Sequence, residues 1–481
     1  MKQSLLLLAL CSGLAFAAPE GAPVTAGPLT SLDKLDSIKK IKDAPIPNRQ
    51  VAIQSWLTAN GSKVMFVSTR DLPMVDIRVV FDAGSARDGD KSGLASLVSR
   101  MIDEGTTDRD TTAIAKAFED LGASFETSSY RDMSIADLRV LSRPDFLNPA
   151  LDVYTDVLAH PVFPDVAFSR IFDGAQVGQQ QKQQSPAAQA GILFYKNLYA
   201  WHPYAQPPSG NPETLKTIKA QDLRDFHRKY FVARNAVIAL VGDIDEPGAR
   251  AIAERISSAL PAGEPAPALP DAPELTRSRH LHLNFPSQQT HILIGYPGIT
   301  RNDPDYEALI VGNEILGGGG FTSLLMSELR EKRGMTYGVY SGFVPMRAQG
   351  PFTINLSTRA DQTTQALDLV RKILKDFIRT GPTDAQVAEA KDNMLGSFPQ
   401  STASNSDILA YLASMGFYNQ PLDYLDTYPK RIQAVTAEQI RDAFKRHLNP
   451  DKMLYITVGQ GVETRKDPKG KDSKEPKTAA K

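Results

Sequence analysis

The feature that most constrains the fold is an internal repeat within the 481 residues of the chain. One copy opens with VDIRVVFDAGSARD (75–88) and closes with NAVIALVGDID (235–245), whereas the other opens with THILIGYPGITRND (290–303) and closes with NPDKMLYITVGQG (449–461). Each opening is an apolar strand followed by a glycine turn and a helix. Each closing strand follows a helix and an asparagine, and it ends in Val-Gly. The repeat predicts an α+β fold of two duplicated domains, each a mostly antiparallel sheet with helices on one face.

The segments that flank the two copies predict the domain boundaries. The N-terminus, MKQSLLLLALCSGLAFAAPE, has a positive Lys2, an apolar core and an A-x-A cleavage site, which are typical of a secretory signal peptide. The Pro/Ala density of LPAGEPAPALPDAPEL indicates a semi-rigid linker, and the Lys-rich C-terminus lacks apolar periodicity. The predicted organisation is a signal peptide at 1–17, an extended leader at 18–49, an N-terminal domain at 50–259, the linker at 260–275, a C-terminal domain at 276–461 and a disordered charged tail at 462–481.

Composition excludes several classes of function. The net charge of −1 gives no basic surface for nucleic acid, and beyond the signal peptide the chain has no apolar run long enough to span a membrane. The single cysteine, Cys11, lies inside the signal peptide, so the mature chain would have no thiol for a disulfide, a nucleophile or a metal. These features predict an exported protein, with the bacterial periplasm as the expected compartment.

The stretch SGLASLVSRMIDEGT (92–106) predicts an amphipathic helix. Its apolar residues have the spacing of a buried stripe, and they are Leu94, Leu97, Val98 and Met101. The remaining face carries Ser96, Ser99 and Arg100. By itself this pattern is typical of a solvated helix face, and only the surrounding sequence suggests otherwise.

The surrounding motifs resemble the N-terminal domain of the pitrilysin/insulinase metallopeptidases, the inverzincins. The matching positions are Asn60-Gly61, Leu72-Pro73, Ala83-Gly84-Ser85 and Gly105-Thr106, together with later segments such as WHPYAQPPSGNPETL and VGDID. The resemblance extends from about residue 50 to about residue 460. It implies a two-domain half of a clamshell that encloses peptides, built either as one long chain or as a dimer of chains of this length.

The zinc motif of that family is missing from this chain. Active members carry H-x-x-E-H on the corresponding helix, where two histidines bind Zn²⁺ and the glutamate is the general base. The register places Ser96, Ser99 and Arg100 at those positions. The family's third ligand is a glutamate further along the chain, yet no glutamate occurs between Glu126 and Glu213. We therefore expect these three residues to be degenerate positions rather than ligands, with no metal in this chain and Zn²⁺ on a partner subunit.

The second copy contains NEILGGGGFTSLLMSELREKRGMTYGVYS (313–341), which resembles the family's C-terminal signature. The resemblance implies that Arg330 and Tyr337 bind the peptide backbone and polarise the scissile carbonyl. It also implies a loop beside the substrate, formed by Gly317, Gly318, Gly319 and Gly320. A flexible loop is expected there because each glycine costs a helix about 1 kcal/mol relative to alanine. The alternatives are a helix end capped by Gly334 with Tyr337 in the core, and a plain connector between two helices.

The resemblance implies a non-zinc subunit of an exported heterodimeric metallopeptidase. Such a chain would form half of the peptide-binding chamber and supply Arg330 and Tyr337 to a homologous partner that carries H-x-x-E-H. The expected substrates are peptides and unfolded segments. The alternative is a catalytically inactive homodimeric protein that binds peptides or assists assembly, and a third possibility is an active peptidase with other metal ligands. A zinc-bearing homologue encoded beside this chain would favour the first.

Overall fold

The computed structural model describes residues 51–461. The predicted signal peptide (1–17), leader (18–49) and charged tail (462–481) lie outside these residues. Two β-sheets with helices packed against them account for the described part, which confirms the predicted α+β class. Between Ala259 and Arg279 the chain has neither helix nor strand, in the region of the predicted linker. Among the helices of residues 51–461, none is both long and apolar enough to cross a membrane.

The first half of the described chain forms a six-stranded sheet. Its strands are β1 (Gln54–Leu57), β2 (Lys63–Ser68), β3 (Met74–Phe81), β4 (Ser124–Ser129), β5 (Ser134–Leu141) and β6 (Ala236–Gly242). Its helices are α1 (Leu94–Met101), α2 (Thr111–Asp120), α3 (Pro144–Ala159), α4 (Asp165–Gln183), α5 (Pro186–Tyr199), α6 (Pro212–Leu215), α7 (Ala220–Tyr230) and α8 (Glu246–Ala259). The strand order is β1-β2-β6-β3-β5-β4, and every pair is antiparallel except β2 with β6.

The second half forms a five-stranded sheet. Its strands are β7 (Arg279–Asn284), β8 (Gln289–Pro297), β9 (Thr336–Phe343), β10 (Pro351–Arg359) and β11 (Leu454–Gly459). Its helices are α9 (Tyr306–Asn313), α10 (Leu324–Met326), α11 (Thr363–Thr380), α12 (Asp384–Ser397), α13 (Asn405–Tyr418), α14 (Tyr424–Ala434) and α15 (Ala437–His447). The order is β7-β11-β8-β10-β9, with β7 and β11 parallel and the other pairs antiparallel.

The two strand orders coincide once β1 is set aside. Strands β2, β6, β3, β5 and β4 correspond in order and direction to β7, β11, β8, β10 and β9. The opening strands of the sequence repeat become β3 and β8, and the closing strands become β6 and β11. The duplication that the sequence predicts is therefore present as a shared topology.

The closing strands lie inside their sheets and are buried along their whole length. Their sequences, AVIALVG and LYITVG, are nearly continuous apolar runs, which is typical of strands that are covered on both faces. Helices of the same half cover one face, as predicted. The second face of each sheet receives a helix from the other half of the chain.

This exchange of helices is reciprocal. Helix α13 packs Ile408 and Leu412 against Met65 and Val237 on the first sheet. Helix α5 packs Phe194 and Leu198 against a cluster on the second sheet that consists of Leu293, Leu454, Ile456 and Val458. Because each half completes the other's core, residues 51–461 belong to one compact unit.

A buried carboxylate joins the two halves where these helices end. Asp132, from the turn between β4 and β5, accepts hydrogen bonds from the hydroxyls of Tyr204 and Tyr418 and, at 2.8 Å, from the backbone N–H of Arg347. Burial raises the pKa of Asp132 despite these donors. Two of the partners come from the second half, so this network depends on the relative position of the two sheets.

Candidate functional site

Helix α1 begins at a turn that its own sequence supplies. Gly93 has a φ of 102°, in the left-handed region that favours glycine. The carboxylate of Asp88 accepts hydrogen bonds of 2.8 Å from the N–H groups of Gly93 and Ala95, which would otherwise be unpaired at the helix start. Burial raises the pKa of Asp88 to about 7. The predicted apolar stripe of α1 lies in the first core, as its spacing indicates.

The structure places the three degenerate positions, Ser96, Ser99 and Arg100, in two different environments. Ser96 and Arg100 line a cavity between α1 and α4, one turn apart on the same face. Ser99 does not line it, because its side chain is buried with only 5% of its surface exposed. The backbone carbonyl of Ser99 accepts a hydrogen bond from the Thr127 hydroxyl at 2.7 Å, which ties α1 to β4.

The groups around this cavity do not fit a zinc ion. Zinc in proteins is held by thiolates, imidazoles and carboxylates. The cavity offers instead the hydroxyls of Ser96 and Ser209, the amide of Gln179 and the cationic groups of Arg100 and Lys182. A guanidinium has no lone pair to donate to a metal. The donor chemistry thus agrees with the absence of the zinc motif in the sequence.

Among residues 51–461, one group of three potential metal ligands lies together, formed by Asp303, Asp305 and His447. The guanidinium of Arg446 donates to both oxygens of Asp305, at 2.9 and 2.7 Å. His447 Nε2 lies 2.9 Å from Asp305 Oδ2. These contacts already satisfy the cluster and attach the end of α15 to the start of α9.

The structure corrects part of the predicted glycine loop. Gly317 and Gly318 are not part of a loop, because α9 continues through a π-helical turn at Glu314–Gly318. Gly317 is buried, and a Cβ there would lie 2.5 Å from Ser341 Oγ. The helix tolerates Gly317 because its missing side chain allows β9 to approach. Gly319 and Gly320 then lead into a short 3₁₀ turn, Gly320–Thr322.

The guanidinium of Arg330 lies close to the faces of two aromatic rings. Its Cζ is 4.6 Å from the ring centre of Phe321 and 4.7 Å from that of Tyr337. Each contact is within cation–π range and contributes about 0.5–1 kcal/mol at an exposed site. Within residues 51–461 the guanidinium makes no hydrogen bond or ion pair. Its N–H donors are therefore available to a ligand.

The neighbouring basic residues behave differently. Lys332 and Arg333 both pair with the carboxylate of Glu328, at 2.5 and 2.6 Å. Gly334, with a φ of 59°, donates its N–H to the carbonyl of Arg330 and ends the helix, as the alternative reading of the sequence predicted. That reading was wrong about Tyr337, because this side chain is 87% exposed.

A bulge in the edge strand β9 explains the exposure of Tyr337. Thr336 pairs with Thr358 and Val339 pairs with Leu356, so Tyr337 and Gly338 together face one residue of β10. The Thr336 hydroxyl stabilises this bulge through hydrogen bonds to the carbonyls of Gly338 and Ser357. Tyr337 and Tyr340 consequently both point to solvent, although regular alternation would place them on opposite faces.

Sequence reasoning missed two members of these sites. Phe321 is 61% exposed and completes the stack on Arg330, and Lys182 supplies the second cation of the α1–α4 cavity. A phenylalanine directly after four glycines was a usable signal for the first. No local pattern marks Lys182, because its role depends on how α4 packs against α1.

Comparison with known proteins places the chain in a family. The model described as Insulinase (Peptidase family M16) matches residues 63–205, and the model described as Peptidase M16 inactive domain matches residues 217–394. A crystal structure of a peptidase M16 inactive domain from Pseudomonas fluorescens is 44% identical, with a TM-score of 0.83, and the match covers 86% of this chain and 100% of that one.

The relatives carry names that imply different activities. The "Non-peptidase homolog YmxG" of Helicobacter pylori is 26% identical over 82% of this chain and 91% of its own length. The "Uncharacterized zinc protease YmxG" of Bacillus subtilis is 23% identical over 85% of this chain and 99% of its own. The chain belongs to the insulinase family of peptidases, family M16, and its residues 217–394 match the model of that family's inactive domain.

Proposed function

We propose that this chain is the non-zinc subunit of an exported heterodimeric peptidase of the insulinase family. Its partner would be a homologous chain with an intact H-x-x-E-H motif. The observation that carries the proposal is the pair of a half-buried Arg330 and an exposed Tyr337, whose side-chain hydrogen-bonding groups have no partner among residues 51–461.

The chemistry of the pair suits an amide substrate. The guanidinium of Arg330 donates to a peptide carbonyl, and its contact with two rings fixes the plane from which those donors project. The Tyr337 hydroxyl donates to the oxygen that becomes negative when water attacks the carbonyl. A donor of this kind is worth a factor on the order of 10² to 10³ in rate. The partner's zinc would activate the attacking water.

The surroundings of the pair favour binding of an extended peptide. Phe321 and Tyr340 are further exposed aromatic residues of this region. Strand β9 is the edge of its sheet, so its outer backbone groups have no neighbouring strand among residues 51–461. Aromatic rings beside an unpaired edge accommodate apolar side chains of a peptide that adds to the sheet.

The first experiment compares the chain alone with the chain bound to its partner. The mature protein is purified by itself and after co-expression with a homologous H-x-x-E-H chain from the same organism, and zinc content and cleavage of a quenched fluorescent peptide are measured. We expect zinc and cleavage only in the complex. Stoichiometric zinc in the lone chain would contradict the proposal.

Variants in the complex test the roles of the two residues. Arg330→Ala and Tyr337→Phe should each lower kcat by a factor on the order of 10² to 10³. Arg333→Ala is the matched control, because it removes a nearby guanidinium that is already paired with Glu328. Rates that are equal in all three variants would remove Arg330 and Tyr337 from the mechanism. A homodimer that binds peptide without cleavage in any complex would support the alternative, an inactive binding protein.

Export is tested separately. The predicted signal peptide at residues 1–17 should be absent from the mature protein, which mass spectrometry of the periplasmic fraction checks. Retention of the intact N-terminus in the cytoplasmic fraction would contradict this part of the proposal alone.

A further inference from the structure

The cavity between α1 and α4 is lined by two cationic side chains, Arg100 and Lys182. It has a volume of about 90 Å³ and is bordered by Ser96 and Arg100 of α1, by Gln179 and Lys182 of α4 and by Ser209. No aspartate or glutamate of the described residues lines it. The cavity is therefore a pocket of positive charge rather than an ion-paired network.

The two cations are not neutralised elsewhere. In the part of the chain that the structure describes, Arg100 has no hydrogen bond or ion pair, and Lys182 Nζ contacts only the hydroxyl of Ser209. Burial lowers the pKa of Lys182, because its ammonium loses water without gaining an anion. An unpaired cation that is partly removed from water is stabilised by any anion that enters.

The cavity exists because two glycines of α4 face α1. Glycine is disfavoured in a helix interior, yet Gly174 and Gly178 lie four residues apart on this face. A Cβ on Gly178 would meet no atom within 4 Å, whereas a Cβ on Gly174 would lie 3.7 Å from Arg100 Nη2. The two positions leave the space in front of the guanidinium open.

We propose that this cavity is a binding site for a small oxyanion, either a carboxylate of a peptide or a free phosphate. A guanidinium matches two oxygens of such a group, while the ammonium of Lys182 adds a point charge and Ser96 a hydroxyl donor. Water occupies about 30 Å³ per molecule in the liquid, so the volume fits one such group and excludes a folded chain. The site goes beyond the proposed peptidase role, because it needs neither Arg330 nor a partner chain.

The test is calorimetric titration of the mature chain with inorganic phosphate at pH 7.5 and low salt. We expect saturable binding at one site, weakened at least tenfold by Arg100→Gln and by Lys182→Gln. Lys216→Gln is the matched control. Lys216 is exposed and follows Leu215, which lines the cavity, but Lys216 itself does not line it, so the substitution removes the same charge nearby. The control should bind as the wild type does. Absence of saturable binding, or equal affinities in all variants, would overturn the proposal.

A second variant separates loss of the site from loss of folding. Gly178→Leu fills the cavity while both cations stay and a better helix former replaces glycine. We expect it to abolish phosphate binding without lowering the Tm. Unchanged binding in Gly178→Leu would place the anion elsewhere and overturn the assignment.

The source of the oxyanion is resolved by competition. An N-acetylated dipeptide with a free C-terminal carboxylate and its C-terminal amide are each titrated in the presence of phosphate. Displacement by the acid but not the amide identifies a peptide carboxylate as a ligand, and displacement by neither identifies free phosphate. Equal displacement by both would show that charge is not recognised and would contradict the proposal.

Discussion

The first helix after the opening strand differs between the two halves. In the first half, α1 (Leu94–Met101) is a regular helix that begins at Gly93 and packs against α4. In the second half, α9 (Tyr306–Asn313) continues into a π-helical turn and a glycine run. The strand orders coincide, so the difference lies in the helices and not in the sheet. A duplicated framework has therefore kept its topology while the two copies acquired different local chemistry.

Each half displays an arginine that has no anionic partner among residues 51–461, but in different settings. Arg100 faces the glycines and the lysine of α4. Arg330 lies close to the rings of Phe321 and Tyr337 at the exposed edge of the second sheet. The first setting borders a cavity of about 90 Å³, which suits an ion, and the second lies beside the 87%-exposed ring of Tyr337, which suits a polypeptide. The same charged group thus stands in two different surroundings, for which we propose two different ligands.

The largest expected effect comes from disconnecting the two halves. Asp132→Ala leaves the buried hydroxyls of Tyr204 and Tyr418 and the N–H of Arg347 without their acceptor. We expect the free energy of unfolding to fall by about 3–5 kcal/mol, measured by urea denaturation. The control Asp120→Ala removes an exposed carboxylate paired with Lys116 and should cost about 0–1 kcal/mol. Similar losses in both variants would mean that the network does not hold the halves together.

The two helices that precede the closing strands, α7 and α15, differ in their expected sensitivity to acid. In α7, burial lowers the pKa of His227 to about 4, below its usual 6.5, and its Nε2 hydrogen-bonds the carbonyl of Leu158. Because the folded state disfavours the charged ring, stability is fully present above pH 6.5 and is lost as the pH falls towards 4. The loss attributable to His227 is about 3 kcal/mol.

Urea denaturation at pH 7 and pH 4 checks this expectation in wild type and His227→Gln. The variant should lose about 3 kcal/mol less than the wild type over that interval. The control His447→Gln, in α15, removes a ring that pairs with Asp305 and should retain the His227-dependent loss. An identical pH profile for His227→Gln and wild type would refute the assignment.

Gly317 tests how closely the second half is packed. A Cβ there would meet Ser341 Oγ at 2.5 Å and Ser341 N at 2.7 Å, so Gly317→Ala forces β9 away from the π-helical turn. We expect a loss of about 1–3 kcal/mol in the free energy of unfolding. Thermal denaturation measures it, and a neutral result would show that the run is a loop after all.

Gly178 is the matching test in the first half and has the smallest expected effect. Gly178→Ala adds a methyl group where no atom lies within 4 Å, and it removes a glycine from a helix interior. We expect stability to rise by about 0.5–1 kcal/mol. Opposite signs at Gly178 and Gly317 would confirm that one site is open and the other is closely packed, whereas equal signs would remove that distinction.

Particular residues show how far sequence reasoning reached. The stripe of Leu94, Leu97, Val98 and Met101 is buried, because periodicity reports which side of a helix is apolar. Ser99 was placed with Ser96 and Arg100, yet it is buried and its backbone carbonyl accepts a hydrogen bond from Thr127 of β4, a strand whose position α1 itself does not encode. The glycine run was predicted as a loop from propensity, which the close approach of β9 overrides.

The sequence by itself determined the α+β class, the duplication, the family and the absence of zinc ligands on α1. These properties follow from local periodicity and from which side chains are present, and neither depends on how the elements pack. Only the tertiary structure decided that α5 and α13 exchange sheets, that Lys182 joins Arg100, and that Phe321 and Tyr337 lie close to Arg330. Those arrangements bring together residues far apart in the chain, and their geometry is fixed by packing and by a bulge that no local pattern encodes.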